Sequence, residues 1–345
     1  MDLELSEDQR SLKALVADFG RDWATSSDPA GQTSPDAWRR LAGLGVFELA
    51  DVEVGTGGIV EQVIVAEELG RVLLGAQYAF TASYVVPLLS LATDGEIAPV
   101  ILGNRRVSFA GSGRRVVSAG CDLSGEWDLV PGFEPTDAYL LVEDVGAVAR
   151  IWLAAADDSG VSAEPLHDLD LGSTTVNLRF CQTPSWLVAE VPREQLVSSH
   201  QRARLLIAAE LIGVAEAAIR AAAEYAKVRV AFGKPIGSYQ GVSHPLAGSL
   251  AQLEGVRSLL YLTACHLEAD TTDAAMLSLA VKARAGAVAV EATGRALHTF
   301  GGIGFTWEHP IHRYHRRAIA ANATAGSSFE LGHQLGLEAL ACLTR

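Results

Sequence analysis

Helical periodicity runs through both ends of this 345-residue chain and stops in the middle. Over residues 106–197 it gives way to short runs rich in valine, leucine and aromatic residues, at 107–110, 127–130, 138–142, 150–154, 174–180 and 186–191. Runs of that length, bounded by turn signals, predict strands, and the segment has the size of a small barrel or sandwich. Hydrophobic residues make up 49% of the chain and charged residues 20%, which suits packed cores and not a disordered polymer. The chain therefore reads as α+β in three parts: an N-terminal helical domain at 1–105, a middle β-barrel or sandwich domain at 106–197, and a C-terminal four-helix bundle at 198–345.

Several helix ends are readable. An amphipathic stretch from Glu4 to about Ala24 sets Leu5, Leu12, Leu15, Val16 and Phe19 on one side. Ser34-Pro35-Asp36 joins an N-cap, a proline at the first helical position and an acidic first turn, so a helix starts there and runs to about Gly43. Further helices are expected over 59–74, 76–92 and 97–102. Breaks at 233–237, 270–273, 301–304 and 325–327 divide the C-terminal part into four or five long helices. Alanines along 205–227 and 274–297 permit close approach in an antiparallel bundle.

The formal net charge of −14 argues against nucleic acid or an anionic membrane as partner. No apolar run reaches the length of a membrane span, and the acidic, helix-like start gives no expectation of a signal peptide, so a cytoplasmic protein is expected. Cys121, Cys181, Cys265 and Cys342 include no Cys-x-x-Cys pair and read as buried free thiols in a reducing compartment. His309, His312 and His315 recur at every third residue but bring no carboxylate or thiolate set, so no metal site is expected.

Two stretches carry chemistry. In YAKVRVAFGKPIGSYQ, residues 225–240, an alanine-rich helix ends near Arg229, Phe232-Gly233-Lys234-Pro235 breaks it, and Gln240 opens the next. A guanidinium one turn before a glycine break can fork two hydrogen bonds onto a phosphate, and a nearby ring can cover an adenine or flavin face. The same residues equally suit a dipole-favoured arginine beside a core phenylalanine. In FGGIGFTWEHP, residues 300–310, Gly301, Gly302 and Gly304 can leave backbone N–H groups open to an anion, or can serve loop shape alone.

Taken together, Arg-x-x-Phe-Gly-x-Pro-Ile-x-x-x-Gln and Gly-Gly-x-Gly-Phe-Thr-x-Glu-x-Pro, followed by Arg313, Arg316 and Arg317, resemble the signatures of the acyl-CoA dehydrogenases. These are flavin enzymes that desaturate acyl-CoA thioesters. The likeness follows the order of segments over the whole chain, strong over 205–318, fair over 35–75 and weak over 106–195. It implies that Arg229, Phe232, Gln240, His298, Gly301 and Gly302 contact the adenine and pyrophosphate side of FAD, with His298 standing where most relatives have glutamine. In the family these groups reach across a dimer interface, to an FAD whose flavin lies on the neighbouring subunit. Glu308 is then either a base or the partner of one of the following arginines. Arg105, Arg106, Arg114 and Arg115 are either solvated surface charge or attractors of a CoA phosphate.

The family's reaction needs a carboxylate at the substrate α-carbon. Its two positions for that group align with Ala325, before Gly326-Ser327, and Ala203, before Arg204; no residue of this chain is assigned as catalytic. Glu210, Glu308 and Glu330 are the nearest acids and fall out of register. The flavin-holding loops of relatives correspond to 109–113 and 129–132, where the acids and a hydroxyl are gone and Pro131 removes an N–H donor. The chain thus resembles the shortened, base-lacking β subunit of heteromeric bacterial acyl-CoA dehydrogenases of the steroid side-chain type. That resemblance implies an acyl-CoA substrate and an FAD shared with a homologous α subunit, in a heterodimer or α2β2 heterotetramer. It also implies an electron-transfer flavoprotein-like acceptor. The alternatives are a self-sufficient dehydrogenase with a displaced acid, and a non-enzymatic structural partner.

Overall fold

The computed structural model describes residues 4–26, 34–51, 58–92, 96–133 and 135–343. The chain begins with helices α1 (Glu7–Ser26), α2 (Pro35–Ala42), α3 (Ile59–Arg71), α4 (Gly75–Phe80), α5 (Val86–Leu89) and α6 (Ala98–Ile101). Strands β1 (Val107–Ser112), β2 (Arg114–Ala119), β3 (Asp122–Gly132), β4 (Ala138–Val145), β5 (Val148–Ala155), β6 (Val161–Pro165), β7 (Thr174–Pro184) and β8 (Trp186–Pro192) follow. Helix α7 (Arg193–Val228) leads through the two-residue strands β9 (Val230–Ala231) and β10 (Lys234–Pro235) to α8 (Gln240–Glu268), α9 (Ala274–Phe300), α10 (Ile311–Ala323) and α11 (Ser328–Leu343). No helix among the described residues is long and apolar enough to cross a membrane.

Contacts group the chain into two units: Met1–Ser26, Ile59–Gly75 and Arg204–Arg345 in one, Ser27–Gly58 and Ala76–Ala203 in the other. The second unit holds all eight strands of the middle segment. One sheet runs β1-β4-β5-β8 and the other β2-β3-β7-β6, with β1 and β4 parallel and every other pair antiparallel. Burial alternates in part of β3, while β4 is buried at six successive residues and β6 is largely exposed. Leu123, Trp127, Val130, Leu178 and Phe180 of one sheet meet Tyr139, Leu141, Trp152 and Ala154 of the other in a single core. Each sheet keeps two free edge strands, so the segment is a sandwich; the barrel alternative is corrected.

All six expected strands are present, and β2 and β6 are additional. Ser34 caps α2 as its sequence predicts, its hydroxyl accepting from the Ala37 N–H at 3.2 Å. The helix expected over 76–92 is interrupted by a π-turn at Thr81–Val85. Pro87 accounts for it, because its ring crowds the carbonyl four residues back and a wider turn relieves that. The free cysteines differ from expectation: Cys121 and Cys181 are exposed, at a hairpin turn and on a strand's outer face, and Cys265 is half-buried. Cys342's side chain lies outside the described residues.

In the first unit, α3 and α7 cross with their backbones nearly touching. A Cβ at Gly70 would overlap the Glu210 carbonyl, and one at Gly213 the Glu67 carbonyl. A buried ionic network ties the crossing to α8. Arg71 bonds Glu67 at 2.9 Å and Glu216 at 2.6 Å, and Arg257 bonds the same carboxylates at 3.0 and 2.5 Å. Glu67 therefore meets two guanidinium groups and Glu216, which Arg220 also bonds, meets three, the condition under which buried charge is tolerated. Burial works to raise the Glu216 pKa, yet Arg71, Arg257 and Arg220 hold it at about 2. Helices α7, α8, α9 and α10 share a core of Ala218, Ala222, Leu246, Ala296, Leu297, Phe300 and Ile311, and α11 packs on α9 as a fifth helix.

Candidate functional site

The two chemistry-bearing stretches meet in the first unit. Tyr225, on the last turns of α7, stacks on Phe300 at the end of α9, with centroids 4.4 Å apart and planes 22° apart. His309, beyond the glycine loop, also packs on Phe300, with ring centroids 4.3 Å apart. Three aromatic groups thus pin the loop after α9 beside the turn after α7.

That turn is a hairpin and not a plain helix break. Ala231 pairs with Lys234 and Val230 with Pro235, leaving Phe232 and Gly233 as a two-residue loop with φ of 52° and 82°. Positive φ at both positions is the type I′ pattern, which glycine accepts freely and phenylalanine at a cost of about 1 kcal/mol. Surrounding bonds hold it there. The Ile236 N–H donates to the Arg229 carbonyl at 2.8 Å, and the Tyr239 hydroxyl donates to the Ala231 carbonyl at 3.0 Å. The Lys234 ammonium lies 4.3 Å from the Tyr239 ring centroid. The result presents Phe232 with 97% of its surface exposed. A core role for this ring is thereby excluded. Arg229 is exposed at the base of the hairpin, and Gln240 is exposed at the first position of α8.

The glycines divide by role. Gly301 ends α9 at φ 63°, ψ −142°, a conformation essentially confined to glycine. Gly304 packs against Leu297 and Phe300, where a Cβ would come within 3.1 Å of each. Gly302 meets neither constraint: it is exposed, with open space where a Cβ would be. Between the start of α8 and the end of α9 lies a cavity of about 520 Å³ lined by Gly241, Val242, Pro245, Gly294, Arg295 and His298, among others. Arg295 is anchored there to Glu291 at 2.5 Å and Ser249 at 3.1 Å. His298 is exposed at its rim. Of the residues read for FAD contact, His298 is among those that line this cavity, and Arg229, Phe232, Gly301 and Gly302 are not.

The flavin-loop stretches of the second unit look different. Phe109 stacks face to face on Tyr84, centroids 3.9 Å apart, and the Tyr84 hydroxyl meets His200 Nδ1 at 2.6 Å. Trp127 donates its indole N–H to the Gly111 carbonyl at 3.0 Å. The cavity that Phe109, Pro131, Gly132 and Ser173 line within this unit is about 20 Å³, room for one water. Those stretches pack against residues of their own unit.

The acids are accounted for one by one. Ala203 is buried in α7. Ala325 stands between α10 and α11 at φ 56°, beside Gly326 at φ 99°. Glu210 is fully buried and accepts from Arg317 Nε at 2.6 Å. Glu330 is exposed and completes a capping box with Ser327, taking the Ser327 N–H at 2.9 Å while its own N–H donates to the Ser327 hydroxyl at 3.2 Å. Those hydrogen bonds hold its carboxyl below the usual range. Glu308 is exposed, and Arg316 lies over Trp307 at 5.5 Å.

Sequence reasoning missed Lys282. It is fully buried in α9, and its ammonium donates to the carbonyls of Asn322 and Gly326, both at 3.0 Å, clamping the turn that carries Ala325. Burial pushes its pKa down to about 8, against the pull of nearby Glu210. A lone lysine inside an alanine-rich apolar helix was the available signal. Of the basic residues read as surface charge, Arg106 is buried against Phe133, and Arg105 and Arg114 pair with Glu96 and Asp128. Arg115's side chain lies outside the described residues. His312 packs edge-on to Trp307 and His315 bonds Thr293 at 3.0 Å, so the histidine run is split among separate structural contacts.

Residues 194–329 match the acyl-CoA dehydrogenase C-terminal domain family. Acyl-CoA dehydrogenase FadE34 of Mycobacterium tuberculosis is 31% identical over 351 residues, covering 94% of this chain and 47% of that protein. The chain thus spans about half of FadE34's length. A chain of the ChsE4–ChsE5 complex from Mycobacterium tuberculosis superposes with a TM-score of 0.86 at 25% identity, over 99% of each chain. A variant of the Tcur3481–Tcur3483 steroid ACAD does so at 0.84 and 25%, over 98% of this chain and 99% of that one. With the fold, the paired motifs and these likenesses in agreement, this chain belongs to the acyl-CoA dehydrogenase family.

Proposed function

We propose that this chain is the non-catalytic subunit of a flavin-dependent acyl-CoA dehydrogenase. It lends FAD-binding residues across an interface to a homologous α subunit, as a heterodimer or α2β2 heterotetramer. The fate of the acids carries this reading. Neither Ala203 nor Ala325 offers a carboxylate, Glu330 caps a helix, and Glu210 is locked to Arg317. Protonating Glu210 would leave Arg317 uncompensated in the interior, at a cost of about 3–5 kcal/mol.

Bound FAD would supply the two-electron acceptor that the desaturation of an acyl-CoA needs, alongside a carboxylate as base at the α-carbon. The homologous partner supplies that carboxylate and the flavin pocket. This chain's contribution is binding: Arg229 and the N–H of Gly302 are donors for phosphate, while the Gly301 N–H is taken by the His298 carbonyl and Gly301 shapes the loop; Phe232 is a ring to cover a base, and Gln240 and His298 are donors near the groove. The exposure of Phe232 on a conformationally costly turn supports a role outside its own core. The likeness to chains of the ChsE4–ChsE5 complex and of a steroid ACAD supports a two-chain enzyme acting on a steroid side-chain CoA ester. Electrons then leave to an electron-transfer flavoprotein-like acceptor in the cytoplasm.

Purification alone and with a co-expressed homologous chain tests the proposal. The complex is expected to lose its flavin colour anaerobically on adding a steroid side-chain acyl-CoA, and the chain alone to reduce no acceptor. Turnover by the isolated chain would contradict it.

A further inference from the structure

Tyr239 ties the Phe232 hairpin to the start of α8. Its carbonyl accepts from the N–H groups of Val242 at 2.9 Å and Ser243 at 3.0 Å, which fixes its backbone to the first turn of that helix. Its side chain reaches back to the hairpin. The hydroxyl donates to the Ala231 carbonyl at 3.0 Å and lies 3.4 Å from the Phe232 carbonyl. Those carbonyls belong to the peptide units before and after Phe232, and the planes of these two units define its φ and ψ. Lys234 pairs with Ala231 across the hairpin, and its ammonium lies 4.3 Å from the Tyr239 ring centroid. The ring thus holds the returning strand while the hydroxyl holds the turn.

This clamp acts on a turn under strain. Phe232 takes φ 52°, a value disfavoured for a residue with a Cβ. Its ring is 97% exposed, so packing within the chain does not set the ring's direction. A turn released from the phenol relaxes toward negative φ at Phe232 and re-aims the ring. Gln240 follows Tyr239 directly at the start of α8, so the same residue fixes how Phe232 stands relative to Gln240.

We propose that Tyr239 is a positioning residue for FAD, its phenol fixing the direction in which Phe232 presents its ring to the cofactor. This rests on the functional reading above and adds to it a residue that acts through Phe232 and not by contact with the cofactor.

Fluorescence titration with FAD of the complex between this chain and the co-expressed α chain is the test. Tyr239→Phe keeps the ring beside Lys234 and loses the hydroxyl. Its complex is expected to bind FAD roughly threefold to tenfold more weakly, the net effect of one hydrogen bond. In a Phe232→Ala background the same substitution should change the affinity by less than about twofold, because the ring that the phenol aims is gone. A role confined to stability would give the same fold-change in both backgrounds. Hydrogen exchange on the isolated chain supplies a second readout. The Ile236 amide, which bonds the Arg229 carbonyl at the hairpin's base, should exchange faster in Tyr239→Phe, while amides within α7 and α8 keep their native protection. Unchanged FAD affinity in Tyr239→Phe, an equal loss in both backgrounds, or unaltered exchange at Ile236 overturns the proposal. A loss of affinity in Phe232→Ala with none in Tyr239→Phe defeats this inference alone. Unchanged affinity in Phe232→Ala defeats the functional proposal and this one with it.

Discussion

Replacing Phe232 with alanine separates what this residue does for its own chain from what it does for another. The ring is 97% exposed, so its removal deletes almost no packing. The backbone φ of 52° burdens alanine as it burdens phenylalanine, leaving the hairpin's strain unchanged. The stability of the isolated chain should therefore move by less than about 0.5 kcal/mol. A phenylalanine fully covered in a complex contributes about 1.5–3 kcal/mol. The F232A complex should accordingly bind FAD roughly tenfold to a hundredfold more weakly. Urea denaturation of the isolated chain and a fluorescence titration of the complex with FAD measure the two quantities. A stability loss above about 1 kcal/mol in the isolated chain, or unchanged FAD affinity in the complex, would refute the reasoning.

Other outcomes follow from the buried groups. Lys282 titrates near 8 when folded and near its ordinary 10.5 when unfolded, so across that window the unfolded chain holds the extra proton and this residue's contribution to stability rises with pH. Urea midpoints measured across the window should show that rise, and Lys282→Met should remove it. Arg317→Met, which strands Glu210, should cost about 3–5 kcal/mol in the same denaturation assay. Gly213→Ala should cost at least about 1–3 kcal/mol by forcing α7 from α3, while Gly302→Ala, with open space at its Cβ, should stay within about 0.5 kcal/mol. Equal effects at the two glycines would contradict the close crossing.

The order of helices and strands was legible because periodicity reports which face of an element is buried. The Ser34 cap and the Gly/Pro breaks were legible because they are local. β2 and β6 were not, since Arg114-Arg115 and the exposed V-S-A-E-P run carry little apolar alternation. Sandwich and barrel share that alternation, and only pairing at the sheet edges separates them. The two motifs were visible in the sequence, but the Tyr225–Phe300 stack that joins them depends on how α7 and α9 pack. The hairpin was hidden because its turn lacks the Asn-Gly or Asp-Gly signal and places phenylalanine at positive φ. Lys282 draws its meaning from neighbours distant in sequence, and spacing does not encode that.

Counting FAD in the purified pair tests the division of labour most directly. Absorbance of released flavin against protein concentration should give about one FAD per pair of chains, and almost none for this chain by itself. Two FAD per pair would mean that this chain also seats a flavin of its own, and the account would be wrong.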